Sequence, residues 1–154
     1  MLTHVNEETV IRASQQFWEQ MLAMHLEHVP ADSRIFVGAG HLRASVSLMG
    51  MCTGRIEVRL AERLAYAATA AMLLQPLHQI AEADTLDAAR EIANMIAGTI
   101  KASLPRPCTM TLPESSVETD GFCGLPLTRH ALAVAFRHEA GDLMVRVQAR
   151  EDGE

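Results

Sequence analysis

Two pairs of segments in this chain alternate apolar and polar residues, and that period of two constrains the fold more than any other feature. In the first pair Leu42, Ala44, Val46 and Leu48 alternate with Arg43, Ser45, Ser47 and Met49. After a turn from Gly50 to Gly54, Ile56, Val58 and Leu60 alternate with Arg55, Glu57 and Arg59. In the second pair Ala131–Phe136 and Leu143–Ala149 flank the hairpin-type loop His138-Glu139-Ala140-Gly141-Asp142. Here Val145, Val147 and Ala149 share one face, and Arg146, Gln148 and Arg150 the other. Successive side chains of a strand point to opposite faces, so each segment turns one face to a core and leaves one solvated. Strands joined by short loops pair antiparallel, and their apolar face needs a cover.

Three segments have helical spacing. Glu7 to about His28 carries Val10, Phe17, Met21, Leu22, Met24 and Leu26, with Pro30 as the stop. Glu62 to about Gln75, ended near Pro76, is apolar over most of its circumference, which predicts burial on more than one side. The third runs from about Thr85 to Leu104, ended by Pro105. Cys108–Leu112 follows, then a polar stretch with Gly121, Gly124 and Pro126. The expected class is α+β, an antiparallel sheet packed against two long helices. No repeat or linker divides the chain, so one domain over residues 1–154 is expected.

Composition then excludes several kinds of function. With 13 Lys+Arg, a net charge of −6 and 4% aromatic residues, there is neither a basic stripe for phosphates nor a set of rings for bases, which argues against nucleic acid. The longest nearly apolar run, Leu64–Leu74, is about half the ~20 residues of a spanning helix. The first residues, MLTHVNEETV, lack the cationic and apolar regions of a signal peptide, so a cytoplasmic protein without a membrane partner is expected. The three cysteines, Cys52, Cys108 and Cys123, show no C-x-x-C spacing and are read as reduced thiols.

The chemistry concentrates on Leu86–Leu104, LDAAREIANMIAGTIKASL. At about 100° per residue, Leu86, Ala89, Ala93, Ile96, Ile100 and Leu104 form one stripe for the sheet. Asp87, Glu91, Asn94 and Gly98 fall at roughly 100°, 140°, 80° and 120° from Leu86, a band lying nearly opposite. Each has an ordinary explanation: Asp87 as a first-turn acid, Glu91 as a helix former on a solvated face, Gly98 as a close-packing residue. Asn94 is harder to explain so, and mid-helix Asn and Gly together cost on the order of 1–1.5 kcal/mol relative to two alanines. Periodicity alone leaves a functional line and a solvated face equally open.

Asp87-x-x-x-Glu91-x-x-Asn94, continuing Met95-Ile96-Ala97-Gly98, resembles the signature of the CheC/CheX/FliY family of response-regulator phosphatases. EIANMIAG is close to CheX wording, SLMGMCTGRIEVRLAERLAYAATAAMLL resembles the family's strand-turn-strand-helix segment, and AFRHEAGDLMVRV its closing hairpin. The resemblance spans roughly Val46 to Val147. It implies a CheC/CheX-like fold, a phosphorylated CheY-type response regulator as partner, and hydrolysis of the partner's aspartyl phosphate. In the implied mechanism Asn94 orients the attacking water, Glu91 pairs with the regulator's lysine, and Asp87 and Gly98 flank the docking surface. Phosphoryl transfer needs mostly positioning, and a neutral amide can position water without titrating. No resident cofactor is implied, since Mg2+ belongs to the regulator. Two-site members carry the motif twice, but Asn6 and Asn94 are the only asparagines here, which favours the single-motif, CheX-like branch and, with it, a homodimer. Members tend to carry a proline in the strand after the motif helix; the candidate is Pro113, in TMTLPESS.

The alternatives are a non-catalytic response-regulator-binding domain and a scaffold, the latter expecting a buried Asn94 face. His25-x-x-His28, placed near the end of the first helix, lacks the further ligands a metal site needs. Gly38-Ala39-Gly40 is too short for a nucleotide loop. Nine methionines suggest an adaptable core, and exposed ones would mark a partner surface.

Overall fold

The structure is a computed structural model of the chain; it describes residues 5–30, 36–37, 40–123 and 131–149. The alternating segments form the centre of the sheet. Strand β3 (Leu42–Gly50) pairs antiparallel with β4 (Gly54–Leu60), β4 with β9 (Gly141–Ala149), and β9 with β8 (Ala131–His138). Register follows the apolar period: Val46 faces Ile56, Ile56 faces Val147, Val58 faces Val145, and Val145 faces Val134. These residues are all buried, so one continuous apolar sheet face is formed. The β8–β9 loop is tighter than the five residues expected, because His138 pairs with Gly141. Gly141 has φ 145°, and a Cβ there would come within 2.5 Å of Ala61 Cβ.

Three helices cover the apolar face: α1 (Glu7–Leu22), α2 (Glu62–Leu73) and α3 (Glu82–Lys101). The fold is therefore α+β with an antiparallel sheet, as expected, with α1 and α3 as its long helices. Asn6 caps α1, its Oδ1 accepting the Thr9 N–H at 2.9 Å. The end of α1 differs from the expected boundary. The helix stops at Leu22, where Ala23 turns left-handed with φ 53°. The residues that follow return to the sheet as β1 (Glu27–Val29), which pairs with β8. Leu26 is buried and its carbonyl accepts from Gln15 Nε2 at 3.0 Å. Its spacing from Leu22 suits a helix, but the free edge of β8 gives these backbone groups a better partner. α3 is displaced the other way, starting at Glu82 and ending at Lys101.

The stretch after α3 also holds more strand than expected. β5 (Cys108–Met110) and β6 (Glu114–Val117) both pair with β3 along one edge. Between them Thr111, Leu112 and Pro113 face only Val46 and Ser47, a one-residue bulge. Pro113 thus sits at an edge-strand bulge, where its missing N–H breaks no ladder. A second small sheet joins β2 (Phe36–Val37) to β7 (Phe122–Cys123). Gly38, Ala39, Gly124, Pro126 and Arg150 lie outside the described residues.

The second sheet face is not simply solvated. Ser45, Glu57, Ala133, Ala135 and Met144 are buried on it, and β2 lies against β9. Burial pushes the Glu57 carboxyl up, but the hydrogen bond from Arg43 and the charges of Arg59 and Arg43 outweigh it and hold the group below the ordinary carboxylate range.

Candidate functional site

α3 takes its orientation from its small residues. Ala88, Ala89, Ala93 and Ala97 are buried with Ile92, Ile96 and Ile100, which sets the helix close against the sheet, α1 and α2. The buried arc is wider than the single stripe expected, because helices flank α3 as well as the sheet below it. Opposite that arc lie the four candidate residues. Asp87 and Glu91 are exposed, and Asn94 and Gly98 half-buried. The structure brings all four onto one accessible line, which is not the buried face a scaffold would require.

They differ in their surroundings. Asp87 forms an ion pair with Arg90, whose Nη1 donates to Ser115 Oγ at 2.7 Å; Ser115 in turn donates to the Leu86 carbonyl at 3.0 Å. This chain of contacts fastens the N-terminal half of α3 to β6, a tether that joins residues too distant in sequence to be seen there. Glu91 and Asn94, by contrast, make no side-chain hydrogen bond among the described residues. Both present unspent donors or acceptors to solvent.

Gly98 answers one of the ordinary explanations directly. A Cβ built there meets nothing within 4 Å, so close packing inside this chain does not require the glycine. The space beside it opens to Lys101, Arg106 and Cys108 on one flank of the line. The other flank is a groove between α2 and α3, where Met72 and Leu73 meet Asp84, Asp87 and Glu91. Asp84 is engaged with its own helix, its Oδ2 accepting the Ala81 N–H at 3.0 Å. Acids therefore lie on one side of Asn94 and bases on the other. Met95, one turn past Glu91, is 40% exposed; Met21, Met49 and Met51 are exposed elsewhere.

The remaining signals carry no site. His25 lies beyond α1 and pairs with Glu19 at 2.8 Å, whereas His28 is on β1 with its ring against Phe136. The two are not on one helix turn as the spacing suggested. No group of three His, Cys, Asp or Glu among the described residues could hold a metal. Cys52 and Cys108 are buried, and burial, with Cys52 alongside, pushes the Cys108 thiol up, away from the reactive thiolate. No helix of the described residues is long and apolar enough to cross a membrane.

The same fold occurs in known structures. CheX from Desulfovibrio desulfuricans is 22% identical with a TM-score of 0.73, over 93% of this chain and 97% of that one. A chain of the CheX–CheY–BeF3–Mg2+ complex from Borrelia burgdorferi is 18% identical with a TM-score of 0.73, over 96% and 99%. A CheC-like superfamily protein from Shewanella sp. PV-4 is 16% identical with a TM-score of 0.74, over 96% and 100%. At these identities the likeness is one of fold. Comparison with curated protein sequences gives no match. The family model of the chemotaxis phosphatase CheX matches residues 42–137, from the start of β3 nearly to the end of β8, with the whole of α3 inside it. On that match, across more than half its length, the chain belongs to the CheX family.

Proposed function

We propose that this protein hydrolyses the aspartyl phosphate of a CheY-type response regulator, with Asn94 and Glu91 as the working residues. The observation that carries this is the pairing of an amide and a carboxylate, neither with a side-chain partner among the described residues, one turn apart on the accessible face of α3. The family and the CheX–CheY complex among its structural neighbours support the partner class.

The chemistry suits these groups. Attack on an aspartyl phosphate needs a water in line with the phosphorus and little further bond-making from the catalyst. The Asn94 amide both accepts and donates, so it can hold such a water without titrating. The Glu91 carboxylate offers a charge-assisted contact to a lysine ammonium, strengthened as the interface excludes water. Gly98 leaves room for partner backbone beside Asn94. Mg2+ enters with the regulator and needs no ligand from this chain. Receivers of this kind work in the cytoplasm, where we place the protein. A homodimer, implied by the family resemblance, would carry one such line per copy.

The test is the decay of phosphorylated regulator with and without the protein. Wild type accelerates decay; Asn94→Ala abolishes acceleration and retains binding. Binding without acceleration by wild type would instead identify a non-catalytic docking domain.

A further inference from the structure

We infer that the C-terminal end of α2 is a second contact for the same response regulator, an apolar lip beside the carboxylate line. The inference rests on the proposal that Glu91 receives the regulator's lysine. Leu73, Leu74, Leu77 and Met95 are 45%, 91%, 58% and 40% exposed; Leu73 lines the groove in which Glu91 stands, Leu74 and Leu77 follow it directly along the chain, and Met95 is one turn past Glu91 on α3. Leucines this exposed and this close together are not needed by the core, and apolar patches of this kind mark interaction sites.

Leu74 adds a second, independent sign. It ends α2 in the left-handed region at φ 53°, with its N–H on the Ala70 carbonyl, and Gln75 N–H reaches the same oxygen at 3.1 Å. Glycine or asparagine normally takes this position, since a Cβ is strained there. The chain thus keeps a large apolar side chain where both backbone and solvent disfavour it.

The groove settles what sits on the lip. Met72 and Leu73 share it with Asp84, Asp87 and Glu91, so it fits a side chain with an aliphatic stem and a cationic tip. Asp84 and Asp87 already have partners, which leaves Glu91 for the tip. A lysine that reaches Glu91 therefore lays its stem over Leu73 and brings its neighbours onto Leu74 and Leu77. A second copy of this chain fits less well, because a two-fold pairing would set the three acids against their own copies. Anionic lipid is disfavoured for the same reason.

The test uses the beryllofluoride-activated, Mg2+-loaded receiver domain of a CheY-type regulator from the same cell. Leu74→Gly removes the side chain and relieves the backbone, and Leu77→Ser is a second variant outside α2. Each should raise Kd and KM about fivefold while kcat at saturating phosphorylated regulator stays at the wild-type value. The thermal midpoint of Leu74→Gly should be unchanged or higher. If wild type binds and both variants keep its Kd, the lip is overturned and the phosphatase proposal stands. If wild type binds no activated receiver, both are overturned.

Discussion

Gly98 is the residue at which stability and function separate most cleanly. A glycine within a helix costs about 0.5–1 kcal/mol relative to alanine, and here a Cβ would meet nothing within 4 Å. Gly98→Ala should therefore stabilise the fold by about 0.5–1 kcal/mol, read as a higher urea midpoint, while lowering the rate of regulator dephosphorylation. A loss of stability would return the glycine to a packing role. Glu91 is argued from its charge. Glu91→Lys should leave the fold intact, since no partner among the described residues is lost, and should weaken regulator binding by tenfold or more, about 1.4 kcal/mol or above. An unchanged Kd would remove the lysine-pairing role. Asp87 was a candidate for the same line, but its contact with Arg90 gives it work within the fold.

Among the elements, β4 carries the most exposed prediction. Glu57 is buried between Arg43 and Arg59 on the far face of the sheet. Glu57→Gln should cost about 2–3 kcal/mol, below the range for fully buried pairs because Arg43 is 27% exposed. The sign of its pH dependence follows from its depressed acidity. The carboxylate contributes stability above its unfolded value, and that contribution fades as pH falls below about 4.3 and through the lower folded value. Acid denaturation of Glu57→Gln should therefore be shallower over that interval than that of wild type. The central hairpins were legible because their alternation survives intact from sequence to register, as Val46, Ile56, Val147 illustrate. The line on α3 was legible because helical geometry alone sets it. β1 and β6 were not, since His28 and Ser116 become strand residues only by meeting β8 and β3, partners far away in sequence. The polar ESSV of β6 has no local signal for an edge strand, and the Arg90–Ser115 contact depends on that pairing.

For the whole molecule, charge is a constraint on how partners meet. On the proposed function, the net charge of −6 would give no attraction toward an acidic receiver, and recognition would fall to the helix face where acids and bases flank Asn94. Raising ionic strength from about 0.02 to 0.2 M should leave the association rate unchanged or raise it, measured by stopped flow. A steep fall with salt would mean long-range steering and a partner of opposite overall charge. The bulge between β5 and β6 bears on assembly in a different way. A sheet rim left straight is an invitation to further strands, and polymerisation is the hazard that follows. Here one surplus residue lifts Leu112 to 88% exposure and a proline beside it withholds a donor, so the rim nearest α3 is closed to growth. The helix proposed to meet a regulator therefore stands beside a sheet rim that gives a further strand no straight ladder to join.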